Sequence, residues 1–159
     1  MDILERLDNI IKTYTTRDLK IAVAESCTGG YISHMITNIP GASKVFERGI
    51  VCYSNQAKIE LLNVGRKSLE IHGAVSENVV KQLANNIRIL SNVDIGIGIS
   101  GIAGPTGGTP EKPVGTVYIG FSTKDEMYVN RYNFSADRAT FKKLVLEKII
   151  ERLEQKAKK

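Results

Sequence analysis

Between Asp94 and Ser100 isoleucine alternates with small residues, Ile95-Gly96-Ile97-Gly98-Ile99-Ser100, and this pattern constrains the chain more than any other. Successive side chains of a strand point to opposite faces, so period-two alternation predicts a strand. One of its faces carries three branched aliphatic chains and the other almost nothing. A bare face of that kind suits a central strand approached closely by other backbone. A second short apolar run, Lys20-Ile21-Ala22-Val23-Ala24, reads as another buried strand, and Phe46 to Tyr53 as a third.

Helical spacing fills the intervals. Ile3, Leu4, Leu7, Ile10, Ile11 and Tyr14 form one amphipathic stripe at the start, and Ile32, Met35, Ile36 and Ile39 form another, stopped by Pro40-Gly41. Asn55 to Leu62 reads as a helix. Ser76-Glu77-Asn78 opens a longer one through Val79, Val80, Leu83, Ile87 and Leu90. Gly101 to Pro113 holds four glycines and three of the four prolines, a loop long enough to suggest a functional role. Val114 to Ser122 and Met127 to Phe134 then predict a hairpin across Lys124-Asp125-Glu126, and a last helix starts near Ala136. Helix and strand alternate early and a hairpin follows late. This order predicts an α/β fold, a single three-layer α/β/α domain over residues 1–159 with a mixed sheet.

The composition, 42% hydrophobic and 25% charged, is that of an ordinary globular chain. No apolar stretch approaches the roughly 20 residues that span a bilayer, and Met1-Asp2-Ile3-Leu4-Glu5-Arg6 has no signal architecture, so a cytoplasmic location is expected. The net charge of +5 resides wholly in residues 138–159, where eight Lys or Arg face three Glu. A terminal helix with one solvated basic face accounts for that, and no nucleic-acid motif accompanies it. Cys27, Cys52, His34 and His72 offer no metal-ligand spacing, so neither a metal nor a cofactor is expected.

Three polar clusters could carry chemistry. Glu25-Ser26-Cys27-Thr28-Gly29-Gly30 lies at a strand-to-helix turn, where amides can meet an anion or Ser26 and Thr28 can simply cap a helix. Cys27 is a further nucleophile candidate there. The second cluster joins Pro40-Gly41-Ala42-Ser43 to Tyr53-Ser54-Asn55-Gln56-Ala57-Lys58. A lysine in a partly apolar pocket loses its proton more easily, so serine, Lys58 and the Tyr53 hydroxyl could act as nucleophile and base without histidine. The third, Ser100-Gly101-Ile102-Ala103-Gly104-Pro105, could let amides approach a phosphate or an oxyanion; it lacks the Gly-Lys-Ser/Thr of a Walker loop.

Together these segments resemble one family. Ala24 to Gly30, Tyr53-Ser54-Asn55 with Ala57-Lys58, His72-Gly73-Ala74-Val75-Ser76, Gly101 to Pro105, Glu111 to Tyr118 and Phe134-Ser135-Ala136-Asp137-Arg138 are similar, in order, to the C-terminal domain family of the competence/damage-inducible protein CinA. The resemblance implies a metal-independent Ser–Lys amidase that converts nicotinamide mononucleotide to nicotinate mononucleotide and ammonia in pyridine nucleotide salvage. It implies Ser43 as the favoured nucleophile, Lys58 as base and Tyr53 as supporting hydroxyl, with Ser26, Ser100 and Arg138 at further active-site positions. Substrate phosphate would rest on Arg138 or on the loop residues Thr28, Gly29, Gly30, Gly101, Ala103 and Gly104. Homo-oligomers are implied as well. An N-terminal domain carried by longer relatives is not expected in this sequence. The competing expectation is a nucleotide-binding or competence-related interaction module without catalysis.

Overall fold

A computed structural model describes residues 1–159. Five strands form one sheet in the order β2-β1-β3-β4-β5. Strands β1 (Ile21–Glu25), β2 (Phe46–Val51) and β3 (Ile95–Gly101) run parallel, whereas β4 (Thr116–Ser122) and β5 (Met127–Asn133) are antiparallel. The sheet is therefore mixed, and the late hairpin is its antiparallel half.

Helices cover both faces. On one, α1 (Ile3–Thr16), α2 (Tyr31–Thr37) and α6 (Arg138–Ala157) bury Leu7, Ile10, Tyr14, Ile32, Phe141 and Ile149 against Ile21, Val23 and the three isoleucines of β3. On the other, α3 (Asn55–Leu62), α4 (Arg66–His72) and α5 (Glu77–Ser91) enclose a smaller core with Ala22, Ala24, Leu62, Leu69, Val79 and Leu83. The asymmetry follows from β3. A Cβ on Gly98 would stand 2.7 Å from the Ala84 amide nitrogen and 2.9 Å from the Val80 carbonyl oxygen, so α5 packs backbone against backbone there. This layering is the expected α/β/α sandwich, and no helix is long and apolar enough to cross a membrane.

The predicted helices and strands are present to within a few residues at their ends, with one addition. The sequence reading contains no helix over α4, because Arg66–His72 is short, rich in charge and buries only Leu69. That helix matters for the site, since the turn after it brings Ala74 and Val75 to the cavity described below.

Candidate active site

All three parallel strands end on one side of the sheet, and the chain after each end supplies part of a cavity of ≈ 350 Å³. That volume lies in the range of small-molecule sites. Ser26 and Cys27 come from the end of β1, Tyr53 and Lys58 from β2 and α3, Ser100 to Gly104 from β3, and Arg138 from the start of α6. A crevice at the carboxyl ends of parallel strands is where α/β sheets commonly hold ligands. A second cavity of ≈ 400 Å³ at the other end of the sheet is lined by Arg17, Arg88, Asp94, Lys124, Asp125 and Lys156 among others, and brings no nucleophile to a base.

Ser26 is fixed on three sides. Its amide donates to the Ile99 carbonyl at 3.1 Å, the next strand's end, and the Cys52 amide donates to the Glu25 carbonyl at 2.9 Å. Its hydroxyl accepts from the Lys58 ammonium at 2.9 Å. Lys58 reaches it because Ser54 caps α3 through the Ala57 amide, placing Lys58 on the first turn with its side chain turned inward.

Lys58 is 1% exposed, and Nζ also donates to the carbonyls of Cys52 at 2.8 Å and Tyr53 at 2.9 Å. Burial lowers its pKa from the usual lysine value. No carboxylate is hydrogen-bonded to it to restore the charge. The three contacts satisfy an ammonium fully. They also suit a neutral amine that donates twice to the carbonyls and turns its lone pair to the Ser26 O–H.

Glu25 explains the form of the turn. Fully buried at the end of β1, its carboxylate accepts from the Ile32 and Ser33 amides, both at 3.0 Å, and from the hydroxyls of Thr28 and Ser33, both at 2.6 Å. The anion position expected for substrate at the start of α2 is thus filled by the protein's own carboxylate. Thr28 is consequently a structural residue whose hydroxyl points to Glu25, a correction to its expected substrate contact. Gly29 and Gly30 adopt φ of +57° and +98° and turn the chain into α2 outside the cavity lining.

Two more expectations need correction. Ser43 sits exposed in a short 3₁₀ turn, Ala42–Lys44, ahead of β2, whereas Lys58 follows its far end. Six strand residues separate the two, roughly 20 Å at about 3.3 Å per residue, so the serine that meets Lys58 within the chain is Ser26. Tyr53 contributes its main-chain carbonyl to Lys58; its side chain is 61% exposed at the cavity rim and its hydroxyl bonds to nothing.

The thiol alternative fails on electrostatics: burial pushes Cys27 up to about 12, so a thiolate is inaccessible near neutrality. His34 is exposed on α2 beside Asn38, and His72 ends α4, where its carbonyl accepts from Lys112 at 2.7 Å. Neither histidine approaches Ser26.

Donors are available on the remaining wall. Ser100 is 1% exposed, lines the cavity and spends its hydroxyl on no partner in the chain. Ala103 and Gly104 are buried, and their amides, like that of Cys27, donate to no acceptor in the chain. Buried unpaired amides are rare, and a row of them along a cavity marks a place for a ligand oxygen. Arg138, the first residue of α6, donates to the Gly104 carbonyl, which anchors it beside these amides. It does not pair with Asp137, whose carboxylate caps α6 through the Thr140 amide at 2.8 Å and hydroxyl at 3.0 Å.

The chain is similar to known proteins over most of its length. The CinA C-terminal domain model matches residues 4–157. A putative competence-damage inducible protein of Thermoanaerobacter sp. (strain X514) is 52% identical over 130 residues, 82% of this chain and 32% of the relative. A CinA-like protein of Syntrophotalea carbinolica is 51% identical over 130 residues, again 82% and 32%. The chain thus spans about a third of the length of these curated relatives. Among solved structures, the competence/damage inducible protein CihA from Agrobacterium tumefaciens superposes with a TM-score of 0.93 at 34% identity, covering 98% of this chain and 95% of that one. A CinA superfamily protein from Klebsiella pneumoniae gives 0.93 at 29% identity, covering 99% and 98%. On the family match and these identities together, the chain belongs to the CinA C-terminal domain family.

Proposed function

We propose that the chain is an amidohydrolase that converts nicotinamide mononucleotide to nicotinate mononucleotide and ammonia, with Ser26 as nucleophile and Lys58 as base. The observation that carries the reading is the 2.9 Å contact between Ser26 Oγ and a buried lysine of lowered pKa, on the wall of a cavity with unspent amide donors. An unactivated carboxamide needs a nucleophile, a base that returns the proton to the leaving amine, and donors for the oxyanion. Those three roles have candidates here.

Neutral Lys58 takes the Ser26 proton as Oγ bonds to the carboxamide carbon. The negative oxygen of the tetrahedral intermediate is stabilised by the Cys27 amide and the Ser100 hydroxyl. Collapse breaks the C–N bond; nitrogen leaves as ammonia with the proton from Lys58, and Ser26 holds the acyl group as an ester. Water then attacks the ester carbon while giving its proton to Lys58. Ser26 departs and recovers that proton, releasing the carboxylate. The substrate phosphate lies toward Arg138 and the Ala103 and Gly104 amides, where a guanidinium fork matches its oxygens.

The direct test is steady ammonia release by purified protein supplied with the mononucleotide, alongside a Ser26→Ala control. Turnover abolished in the control supports the assignment. Nucleotide binding with no ammonia at any pH between 6 and 10 would instead leave a binding module.

A further inference from the structure

Two motifs of the sequence, His72-Gly73-Ala74-Val75-Ser76 and Glu111 to Tyr118, take no part in the proposed chemistry. The fold brings them together. Lys112 Nζ donates to the His72 carbonyl at 2.7 Å, forty positions away along the chain. His72 ends α4, and the last carbonyls of a helix have no partner within it. Gly73 leaves room for the ammonium: a Cβ there would stand 3.4 Å from Nζ, on a backbone of φ +75°. The two motifs belong to two walls of the cavity. The turn after α4 supplies Ala74 and Val75, and the loop between β3 and β4 supplies Ile102, Thr106 and Gly107. No other hydrogen bond joins residues 72–76 to that loop. The loop is firm at its feet, where the Ile102 amide donates to the Thr116 carbonyl at 2.8 Å and the Gly115 amide to the Ile102 carbonyl at 2.7 Å. At Lys112 it closes a turn. The Thr109 amide donates to the Lys112 carbonyl at 2.9 Å, and the Lys112 amide to the Thr109 hydroxyl at 3.0 Å. Arg131 of β5 holds the same turn through the Glu111 carbonyl at 2.6 Å.

We propose that Lys112 is a positioning residue, a strap from the loop to the end of α4 that fixes the two walls relative to each other and so sets the width of the cavity for substrate. This rests on the amidase reading for the identity of the substrate. Lys112 does not line the cavity and acts through Ala74, Val75, Thr106 and Gly107, which do. Ser26 and Lys58 are held by bonds to the strand ends that the strap does not share, so freeing the walls weakens the grip on substrate more than the chemistry. The strap acts on the width of the cavity and not on a charge. Substrates with and without a phosphate therefore feel its loss alike.

Hydrogen exchange and steady-state kinetics on the parent, Lys112→Met and Lys112→Arg test the strap. In Lys112→Met the amides of residues 73–76 and 106–109 should exchange about tenfold faster or more, while those of Ile102 and Gly115 and the urea midpoint stay at the parent values. KM for nicotinamide mononucleotide and for nicotinamide riboside should rise together, by about fivefold or more, with kcat nearly kept. Lys112→Arg, which keeps a donor, should recover most of both effects. Unchanged exchange at residues 73–76 overturns the strap, because loosening confined to the loop would show no hold on α4. An unchanged KM, a loss confined to kcat, or a loss on one substrate alone overturns its role in positioning. If the parent releases no ammonia, the amidase reading fails by itself, and exchange at residues 73–76 alone decides the strap.

Discussion

Lys58 holds two protonation states in one geometry, and its chemistry depends on which is populated. Burial lowers its pKa, so the neutral amine appears at lower pH than for a solvated lysine near 10.4. The base must be neutral to accept the serine proton. Accordingly kcat/KM should climb with pH and level off once Lys58 is deprotonated, with the break below the ordinary lysine range. A profile that declines over that limb would remove Lys58 as the base. Lys58→Met should cost about 10² or more in turnover, and Ser43→Ala should leave it at the parent level. Full activity in the first variant, or loss in the second, reverses the assignment made here. The sequence marked both serines and the resemblance favoured Ser43; neither shows how far the intervening strand carries Ser43 from Lys58. Tyr53 lies only ten positions after Ser43, but a strand lies between, and a strand delivers its two flanks to opposite ends of the sheet.

At the scale of elements, the turn from β1 into α2 and the β3–α5 contact decide whether the cavity exists. Glu25→Gln keeps the shape of the side chain but puts an N–H₂ where one carboxylate oxygen now accepts, against amides and hydroxyls that also donate. Loss of a charge-assisted acceptor should cost about 1.5–3 kcal/mol, read as a shift of the urea midpoint. A midpoint equal to the parent's would mean that the turn holds by other contacts. Gly98→Ala tests the other contact. Its Cβ meets the Ala84 amide, the Leu83 Cβ and the Val80 carbonyl, all within 2.9 Å, and backbone cannot rotate aside. Overpacking of this kind costs about 1–3 kcal/mol, and a neutral result would show that α5 can slide. This was the most legible part of the fold, since the Ile-Gly alternation states both the strand and its bare face. Helix α4 was the least legible: a single buried leucine in seven residues leaves no period to read.

Across the whole molecule, the first and last helices are tied together on one face of the sheet. Arg6 forks onto Glu154 with two bonds of 2.8 Å, Tyr14 donates to the Leu153 carbonyl at 2.9 Å, and Arg17 donates to the Lys156 and Ala157 carbonyls at 3.1 and 3.0 Å. This ties down the far end of α6, whose first turn carries Arg138. Glu154 lies sixteen positions beyond Arg138, roughly 24 Å at about 1.5 Å per residue, so the tie is remote from the chemistry. The Arg6 guanidinium, bonded to the Glu154 carboxylate, holds it below the usual glutamate range. A group depressed on folding contributes stability that is present above its unfolded value, near 4.3, and lost as pH falls through the folded value. Glu154→Gln should therefore flatten the acid limb of a stability–pH curve and cost about 1 kcal/mol or less near neutrality, because both partners are partly solvated. KM for the mononucleotide should stay at the parent value, since the first turn of α6 is set separately by the Asp137 cap and the Arg138 anchor on Gly104. Chemical unfolding at pH 7, 5 and 3.5 reads the stability part and steady-state kinetics the other. An acid limb as steep as the parent's would deny the Arg6–Glu154 pair its role, and a raised KM would show that strain at one end of α6 is transmitted to the other.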